Sequence, residues 1–416
     1  MSNIWHPYTQ HKTAFPEVEI ARAKNTLLYT PDGKTIIDAV SSWWVNPYGH
    51  GNERLAKAIY EQILHLDQII FAGFTHQPAI QLAERLLTIL PSNQQKIFFS
   101  DNGSTAVEVA MKMAIQYFFN LGKPQCTLIA FEGAYHGDTF GAMAAGERGK
   151  FFAPFESYTF SVKIIPAPTP GKELESETAL EKILQENASC CFLFEPLVQG
   201  AGGMIMHSPE ALDRLIALCK SHDALTIADE VMTGFGRTGK NFACDYLEQQ
   251  PDLVCMSKCL TGGILPMSIT SCTAELFDAF YSDDKAKTLF HGHSYTGNPV
   301  GCAAALTSIE MLLEPEMQAN LARIAENNSL FAAKIAENRK LSRIQFRGTI
   351  LALEIASGEG NNYFSSIRDK MYDHFLQRGI LLRPLGNVLY IMPPYCITDA
   401  ELNTVYNAIL EFLEAG

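Results

Sequence analysis

Two short apolar runs in the middle of the chain each end in a residue that can carry chemistry. Residues 225–228 are followed at once by Asp229, and residues 253–256 are followed, after one serine, by Lys258. Continuous apolar runs of this length are typical of parallel strands that are buried on both faces. Open sheets of such strands bind ligands at the carboxyl ends of the strands. The pattern therefore predicts that a carboxylate and an amine enter one site.

The apolar spacing along the rest of the chain predicts an α/β fold. Helical periodicity covers 52–66, 78–90, 106–119, 209–222, a stretch starting near 299, 317–338, 361–378 and 399–414. Strand-like runs cover 26–29, 34–40, 96–100, 127–131, 190–197, 225–229, 253–256, the region near 344, 350–355 and 389–392. Residues 150–180, rich in Pro, Gly and Glu, are expected to form a surface excursion.

The order of these elements predicts a division of the chain into three parts. We expect an N-terminal segment (1–50) that belongs to a small domain, a large ligand-binding domain (51–315) and a C-terminal small domain (316–416). The large domain should have a mostly parallel central sheet. In the last part strands and helices follow one another in mixed order, which indicates an α+β domain.

Composition narrows the class of protein. The 416 residues are 47% hydrophobic and 19% charged, which is typical of a folded chain. The net charge is −13 and no basic block occurs, so we expect no nucleic-acid partner. No apolar run approaches the length of a membrane span, and the N-terminus lacks a signal-peptide pattern, so we expect a cytoplasmic protein without a membrane partner. The ten cysteines form no CxxC pair and should be reduced thiols, and no zinc spacing predicts a metal.

A candidate anion site follows the strand at 96–100. The sequence there runs through Asn102, Gly103, Ser104 and Thr105 into a long helical pattern, and Thr105 and Glu108 have the spacing of a capping box. Free N–H groups and the dipole at a helix N-terminus favour an anion, and the hydroxyls add donors. The segment suits a phosphate monoester, and the alternative is an ordinary helix cap.

A glycine-rich segment, YHGDTFGAM, follows the strand at 127–131. It contains Tyr135, His136 and Asp138. Glycines allow close approach of the backbone to a ligand, and an aromatic ring at a strand end can stack on a flat cofactor. We expect His136 to be structural.

Several residues outside these segments are candidates for substrate contact. Trp43 and Trp44 are adjacent and form either core or the wall of a binding site; Tyr8, near the N-terminus, is either mobile or part of that wall. Arg383 offers a planar fork that matches a carboxylate. Arg237 lies in a GxGxxG stretch that lacks the strand-to-helix context of a dinucleotide site, so it is either a substrate ligand or a structural bridge.

The combination of an amine, a carboxylate and a phosphate site indicates pyridoxal 5'-phosphate. This cofactor is held as a Schiff base by a lysine, and an acid keeps its ring nitrogen protonated. Lys258 and Asp229 supply those two groups, and the turn at Gly103 and Ser104 supplies the phosphate site.

Over essentially its full length the sequence resembles the class III, fold-type I aminotransferases. The segments DEVMTGFGRTGK and SKCLTGG carry the general signature of that family. More specific segments resemble the family members that act in biotin synthesis: WHPYT, SSWW, FAGFTH, GSTAVEVAMKMA, YHGDTFGAM, HGxxxxGNPxxCAAA and RPxGxxxYxMPPY. The resemblance implies a large domain with a mostly parallel sheet, a smaller α+β domain and a homodimer.

The resemblance also implies roles for individual residues. Lys258 would be the Schiff-base lysine, Asp229 the partner of the pyridine nitrogen, and Tyr8 a further catalytic residue. Cofactor contacts are expected at Gly103, Ser104, Tyr135, His293 and Ser294. Substrate contacts are expected at Tyr8, Trp43, Trp44, Tyr135, Asp138, Arg237, Gly292, Arg383 and Tyr390.

In the HG loop (residues 291–298), Gly292, His293 and Ser294 would reach the active site of the partner subunit. Relatives commonly have Pro-Thr where this chain has His293 and Ser294. Ser294 keeps the hydroxyl for the phosphate, and the contribution of His293 stays open.

The implied reaction is a ping-pong transamination that gives 7,8-diaminononanoate. S-adenosyl-L-methionine would be the amino donor and 8-amino-7-oxononanoate the acceptor. Lysine as donor, or another class III substrate such as ornithine or 4-aminobutyrate, are the alternatives. A non-catalytic protein on the same fold is disfavoured by the presence of both Lys258 and Asp229.

Overall fold

The computed structural model describes residues 3–123, 125–146, 152–356 and 365–415. The strands are β1 (Arg22–Lys24), β2 (Leu27–Tyr29), β3 (Thr35–Asp38), β4 (Gln94–Ser100), β5 (Thr127–Phe131), β6 (Lys163–Ile165), β7 (Cys190–Phe194), β8 (Val198–Gln199), β9 (Ile205–Met206), β10 (Leu225–Asp229), β11 (Leu253–Met256), β12 (Ser268–Thr273), β13 (Leu341–Arg347), β14 (Ile350–Ile355), β15 (Ile380–Leu381) and β16 (Val388–Ile391).

The helices are α1 (Ser41–Trp44, an irregular turn), α2 (Glu53–His65), α3 (Gln77–Leu87), α4 (Gly103–Asn120), α5 (Phe140–Ala144), α6 (Glu173–Glu186), α7 (Pro209–Ser221), α8 (Ala274–Asp278), α9 (Pro299–Leu312), α10 (Pro315–Lys334), α11 (Ser366–Gln377) and α12 (Asp399–Ala415). The helices predicted from apolar spacing are confirmed with ends shifted by a few residues. The start of the predicted helix 361–378 lies outside the described residues. None of the described helices is long and apolar enough to cross a bilayer.

A seven-stranded sheet forms the centre of the fold, in the order β4-β12-β11-β10-β7-β5-β6. Its neighbours pair in parallel, except that β12 runs antiparallel to both β11 and β4. Six of the seven strands therefore point the same way, and the predicted mostly parallel sheet is confirmed. The carboxyl ends of β4, β5, β7, β10 and β11 all lie at one edge.

Strand β12 has no apolar run, which is why the sequence did not predict it. It reads SITSCT, yet its first five residues are buried. The Thr270 hydroxyl donates to the Ala106 carbonyl (2.8 Å), and the Ser271 hydroxyl donates to Gln94 Oε1 (2.7 Å). Buried hydroxyls with partners avoid the penalty of desolvation, so a polar strand is tolerated in the centre of the sheet.

The long helix α4 packs on the sheet directly behind the predicted anion site. Eight of its 18 residues are buried, including Ala106, Val107, Ala110 and Ala114. A helix that is apolar on nearly all sides is stable only when neighbours cover it. Its N-terminus is consequently fixed at the carboxyl edge of the sheet, where β4 ends.

A smaller antiparallel sheet, β13-β14-β16, lies within the C-terminal part of the chain. Another, with the order β1-β2-β3-β15, joins the N-terminal and C-terminal parts, because Leu381 of β15 pairs in parallel with Asp38 of β3. This pairing brings the segment that follows β3 next to the segment that contains Arg383. The division of the chain at residues 50/51 and 315/316 stays a prediction.

The region predicted as a surface excursion also holds regular structure. β6 forms the edge of the central sheet, and α6 buries Leu180 and Leu184 in the core. Lys172, the N-cap residue of α6, makes no side-chain capping hydrogen bond. The helix lacks the usual start signal of Ser, Thr, Asp or Asn, which explains why the composition of the region concealed it.

Candidate active site

Asp229 and Lys258 lie at the ends of neighbouring parallel strands, as the sequence predicts. Asp229 is the last residue of β10 and is in register with Cys255 of β11. Lys258 opens the 3₁₀ turn Lys258–Thr261 with a left-handed backbone (φ 44°), a conformation that non-glycine residues rarely adopt. Burial lowers the pKa of the Lys258 amine, and the negative charges of Asp229 and Glu195 oppose that change. The amine is thus desolvated and close to two carboxylates.

His136 orients the carboxylate of Asp229. His136 Nδ1 and Asp229 Oδ2 share a hydrogen bond of 2.7 Å, and the Val231 N–H donates to Asp229 Oδ1 at 3.1 Å. Both side chains are buried, and His136 Nε2 has no hydrogen-bond partner within the described residues. His136 was expected to be structural; its contact shows that it fixes the position of the acid at the site.

Glu195 is a third acid at this edge, and it is not among the residues predicted from the sequence. It follows the last residue of β7, and its carboxylate accepts the N–H groups of Tyr135 (3.0 Å) and Gly200 (2.8 Å). Burial raises the pKa of Glu195 to about 7. An acid directly after an apolar run is the signal that identified Asp229, so the same rule applied to residues 190–194 would have found Glu195.

Replacing Glu195 with glutamine should change how stability depends on pH. The folded protein keeps the Glu195 proton up to about pH 7, whereas the ordinary pKa of the group is 4.5. The free energy of unfolding of the wild type should therefore fall as pH rises through this interval, by about 3 kcal/mol in total, because each unit between the two pKa values is worth about 1.4 kcal/mol. The side chain of Glu195→Gln cannot ionise, so the free energy of unfolding of this variant should not show that decrease.

Thermal unfolding of the cofactor-free protein from pH 4.5 to 8 measures this effect. The midpoint of Glu195→Gln should rise relative to the wild type as pH increases. Glu326→Gln, which alters an exposed residue of α10, should follow the wild-type curve. A constant difference between Glu195→Gln and the wild type across this range would show that folding does not raise the pKa of Glu195.

The N-terminus of α4 is capped differently from the prediction. Asn102 is the N-cap: its side chain accepts the Thr105 N–H (3.1 Å), and Thr105 Oγ1 accepts the Asn102 N–H (3.2 Å). The predicted capping box of Thr105 and Glu108 is wrong. Glu108 instead accepts the Thr139 hydroxyl (2.6 Å) and the Gly141 N–H (2.8 Å), so it ties α5 to α4.

Three backbone segments converge at the start of α4. A Cβ added to Gly103 would lie 2.7 Å from Val231 Cγ1, and a Cβ added to Gly137 would overlap Ser104 Oγ. Ser104 Oγ also accepts the Asp138 N–H at 3.1 Å. The first N–H groups of any helix lack intrahelical partners, so this crowded turn presents donors for an anion. Together with Lys258 and Asp229, the donor set fits pyridoxal phosphate.

Tyr8, Tyr135 and Asp138 form a polar cluster beside these groups. The Tyr8 hydroxyl donates to the Asp138 carboxylate (2.6 Å to each oxygen) and lies 3.4 Å from the Tyr135 hydroxyl. Burial raises the pKa of Tyr135 to about 12. Burial also raises the pKa of Tyr8, and the hydrogen bond with Asp138 adds to that increase. The N-terminal segment is therefore held at the site at Tyr8.

The two adjacent tryptophans point to different surroundings. Trp43, 38% exposed, meets the Tyr8 ring edge-on (5.8 Å between centroids), and the Arg383 guanidinium lies 4.2 Å from the Trp43 ring centroid. Trp44, 4% exposed, donates its indole N–H to the Tyr390 hydroxyl (2.9 Å) and has Lys258 Nζ 4.9 Å from its ring centroid. Trp43 is thus available to a ligand. Trp44 and Tyr390 are buried, and their position favours a role in supporting the side chain of Lys258.

The turn that carries these tryptophans has an unusual backbone. Ser41 (φ 51°), Ser42 (φ 61°) and Trp44 (φ 67°) are all in the left-handed region. Each such residue costs on the order of 1–3 kcal/mol and persists only where the surrounding structure enforces it. Strain of this kind is frequently found at ligand-binding sites.

Arg237 is fully buried. Its guanidinium donates to the carbonyls of Pro393 (3.0 Å) and Trp44 (3.3 Å) and lies 4.9 Å from the Tyr395 ring centroid. Of the two roles that the sequence left open, these contacts favour the structural bridge. The GxGxxG stretch around Arg237 consists of turns and does not open a helix, as the sequence analysis predicts.

The HG loop packs on other parts of its own chain. The Ser294 carbonyl accepts the Gln68 side-chain amide (2.8 Å), His76 Nε2 lies 2.6 Å from the Gly297 carbonyl oxygen, and His291 Nδ1 lies 3.1 Å from Lys112 Nζ. Gly292 and Ser294 are exposed, and His293 is partly buried. The entry of Gly292, His293 and Ser294 into a partner's site stays a prediction.

Comparison with known proteins gives matches along the whole chain. The profile of the family described as aminotransferase class-III matches residues 8–413. The adenosylmethionine-8-amino-7-oxononanoate aminotransferase of Synechococcus elongatus is 46% identical over 99% of this chain and 98% of its own length. The protein of the same name from Geobacter sulfurreducens is 36% identical over 98% and 94%, respectively.

Solved structures agree with the fold. The crystal structure of the adenosylmethionine-8-amino-7-oxononanoate aminotransferase of Methanocaldococcus jannaschii superposes with a TM-score of 0.92 at 34% identity and covers 98% of this chain and 97% of its own. The omega transaminase of Pseudomonas jessenii in complex with PMP gives a TM-score of 0.92 at 26% identity, covering 99% and 96%. The predicted fold class, with its mostly parallel central sheet, is confirmed.

Proposed function

The chain belongs to the class III aminotransferases, and we propose that it transfers an amino group from S-adenosyl-L-methionine to 8-amino-7-oxononanoate. The product would be 7,8-diaminononanoate, an intermediate of biotin synthesis. Relatives named for these two compounds match the chain over nearly its full length. The observation that carries the proposal is the cluster of Tyr8, Trp43 and Arg383, which is connected to Asp229 through Tyr135.

Pyridoxal 5'-phosphate is the cofactor of this family, and the residues at the strand ends fit it. Lys258 would hold it covalently, Asp229 would hold its ring nitrogen, Tyr135 would cover the ring, and the N–H groups of Gly103 and Ser104 would bind its phosphate. When bound, it supplies an electron sink for the pair of electrons left after a proton is removed from the substrate carbon.

Lys258 would move that proton. Burial lowers the pKa of its amine, which increases the fraction that is neutral and able to accept a proton. The nearby charges of Asp229 and Glu195 oppose that effect and stabilise the amine after it has taken the proton. The same amine would then donate that proton again, so that one group acts first as a base and then as an acid.

Recognition of the substrates would rest on the aromatic wall and on Arg383. A guanidinium binds a carboxylate through two parallel hydrogen bonds, and its contact with the Trp43 ring limits the orientations that it samples. Tyr8 and Trp43 present flat apolar surfaces that can accept a long, thin chain or a nucleoside. One site can therefore take both a sulfonium donor and a keto acid.

A donor screen tests the proposal. Cofactor-loaded protein is mixed separately with S-adenosyl-L-methionine, lysine, ornithine and 4-aminobutyrate, and the visible absorbance of the bound cofactor is followed. We expect that only S-adenosyl-L-methionine removes the band and that later addition of 8-amino-7-oxononanoate restores it. Loss of the band with lysine alone would identify lysine as the donor. Loss of the band with ornithine or 4-aminobutyrate would overturn the substrate assignment.

Replacing Tyr8 with phenylalanine should weaken the acceptor half-reaction. The variant loses the hydrogen bond to the Asp138 carboxylate, and hydrogen bonds to carboxylates contribute about 1.5–3 kcal/mol. The rate of the half-reaction with 8-amino-7-oxononanoate should fall about tenfold or more, since about 1.4 kcal/mol is tenfold. Tyr281→Phe, which alters an exposed tyrosine, is the control. An equal loss of cofactor binding would return Tyr8 to a structural role.

We further propose a homodimer in which the HG loop completes the partner's site. Phe290 (73% exposed) directly precedes this loop and Tyr295 (68% exposed) lies in it; Phe74 is also exposed. Large exposed apolar groups near one another are typical of protein interfaces. His293 and Ser294 would then reach the cofactor phosphate of the other subunit.

The ten free cysteines suit the reducing cytoplasm, where we place the enzyme.

A further inference from the structure

Asp38 is a fully buried carboxylate at the end of β3, outside the set of residues assigned above. Asp38 Oδ2 accepts the Ser42 N–H at 2.7 Å, and Asp38 Oδ1 accepts the Val40 N–H at 3.2 Å. On its other side Asp38 Oδ2 lies 2.9 Å from His50 Nε2, and His50 Nδ1 lies 3.2 Å from the Asn46 side-chain amide. The carboxylate therefore joins the strand, the turn Ser41–Trp44 and His50.

The turn that Asp38 binds is the strained one. Ser42 has φ 61° and ψ −82°, the region of the rare γ-turn with positive φ. The only other side-chain anchor at the start of the turn that we identify among the described residues is the Ser41 hydroxyl, which donates to the Met392 carbonyl at 2.8 Å. A serine takes such a conformation only if its surroundings hold it there, and the bond from Ser42 N–H to the Asp38 carboxylate supplies that hold.

The same carboxylate is connected to Arg383 through the small sheet. Asp38 pairs with Leu381 of β15, and Arg383 follows two residues later. Trp43 leaves the turn towards Tyr8 and Arg383, whereas Trp44 leaves it towards Lys258. A change at Asp38 would thus move both tryptophans relative to Arg383 and Lys258.

We propose that Asp38, aligned by His50, is a positioning residue that holds the Ser41–Trp44 turn in its strained form and thereby sets the affinity for the acceptor. This inference rests on the proposed function, because it identifies Trp43 and Arg383 as the acceptor site. Asp38 acts through the backbone of the turn, so it affects the site without touching the substrate.

Asp38→Asn tests the inference. The amide keeps the size of the side chain but removes the charge and turns an NH₂ group towards an N–H donor or His50. In the cofactor-loaded enzyme we expect KM for 8-amino-7-oxononanoate to rise at least about tenfold, with kcat changed less and the visible cofactor band retained. In the cofactor-free protein the near-ultraviolet circular dichroism of the tryptophans should change, because two of the three tryptophans lie in this turn and the third, Trp5, is exposed.

Two further variants separate positioning from folding. Ser42→Gly in the Asp38→Asn background should recover most of the affinity, since glycine takes the backbone of residue 42 without strain. His50→Gln keeps the carboxylate and should raise KM severalfold even if Asp38→Asn does not fold. Asp32→Asn, which alters an exposed aspartate in the turn before β3, is the matched control and should behave as wild type.

The outcomes are distinct. Unchanged KM and unchanged circular dichroism in Asp38→Asn, or in His50→Gln if the first variant does not fold, would overturn the inference. A lower melting temperature with no recovery by Ser42→Gly would also overturn it, because the role would then be general support. A wild-type enzyme that is inactive with these two substrates would refute the proposed function instead, and the circular dichroism would still decide whether Asp38 holds the turn.

Discussion

Lys258→Ala protein is expected to lose turnover by at least about a thousandfold and to show no visible band of lysine-bound cofactor. Alanine has no amine to hold the cofactor and none to carry a proton, and a positioned acid–base group alone contributes typically 10²–10⁴ in rate. Lys258 is the amine that the structure places beside Asp229 and Glu195, with its pKa lowered by burial. Single-turnover kinetics and the absorbance spectrum measure both effects in one sample.

Lys57→Ala is the matched control for this substitution. Lys57 is exposed on α2, where its only ion pair among the described residues is with Glu61, one turn away (3.8 Å). Such surface pairs contribute little, so both activity and spectrum should match the wild type. Turnover by Lys258→Ala at more than a tenth of the wild-type rate would contradict the assignment of Lys258.

Asp229→Asn is expected to lower the rate of both half-reactions about tenfold to a hundredfold. The neutral amide cannot stabilise a protonated ring nitrogen, and a hydrogen bond to a charged group is worth about 1.5–3 kcal/mol, with about 1.4 kcal/mol for each factor of ten. The loss should appear in both directions, because donor and acceptor use the same electron sink. His136 and the Val231 N–H should keep the new side chain in place, so the protein should remain folded.

Asp252→Asn distinguishes this effect from the loss of any buried carboxylate. Asp252 lies just before β11, at the opposite end from the site, where it accepts the Thr226 N–H (2.8 Å) and the Thr226 hydroxyl (2.7 Å). That variant should unfold at a lower temperature but keep its specific activity. If Asp252→Asn lost as much activity as Asp229→Asn, or if Asp229→Asn were fully active, Asp229 would not be the partner of the ring nitrogen.

The fold could be predicted well where a buried element has an apolar sequence. The strands that end at Asp229 and Met256 are buried along their whole length and mostly apolar, because both of their faces are covered. β12 has no such apolar sequence, since its buried hydroxyls are paired with partners that lie far away in the sequence. Likewise α6 lacks a capping residue, and its position became evident only from its packing.

The candidate site shows the same division between local and distant information. Asp229 ends a strand, and Lys258 and the start of α4 each lie within three residues of a strand end, so sequence patterns alone located them. Glu195 has an equally clear local signal, because it directly follows the buried apolar strand Cys190–Phe194. The roles of His136 and Arg237 depend on contacts across 93 and 156 positions of the chain, and no pattern around either residue specifies those contacts.

The sequence by itself determined that a carboxylate and an amine share one edge of a parallel sheet, beside the helix N-terminus that we predict to bind an anion. That result needs no knowledge of strand order, because all carboxyl ends of parallel strands meet at the same edge. Only the tertiary structure decided which residues surround them. Tyr8, Trp43 and Arg383 come together because β3 pairs with β15 and because Asp38 holds the turn after β3 in a conformation that its own sequence disfavours.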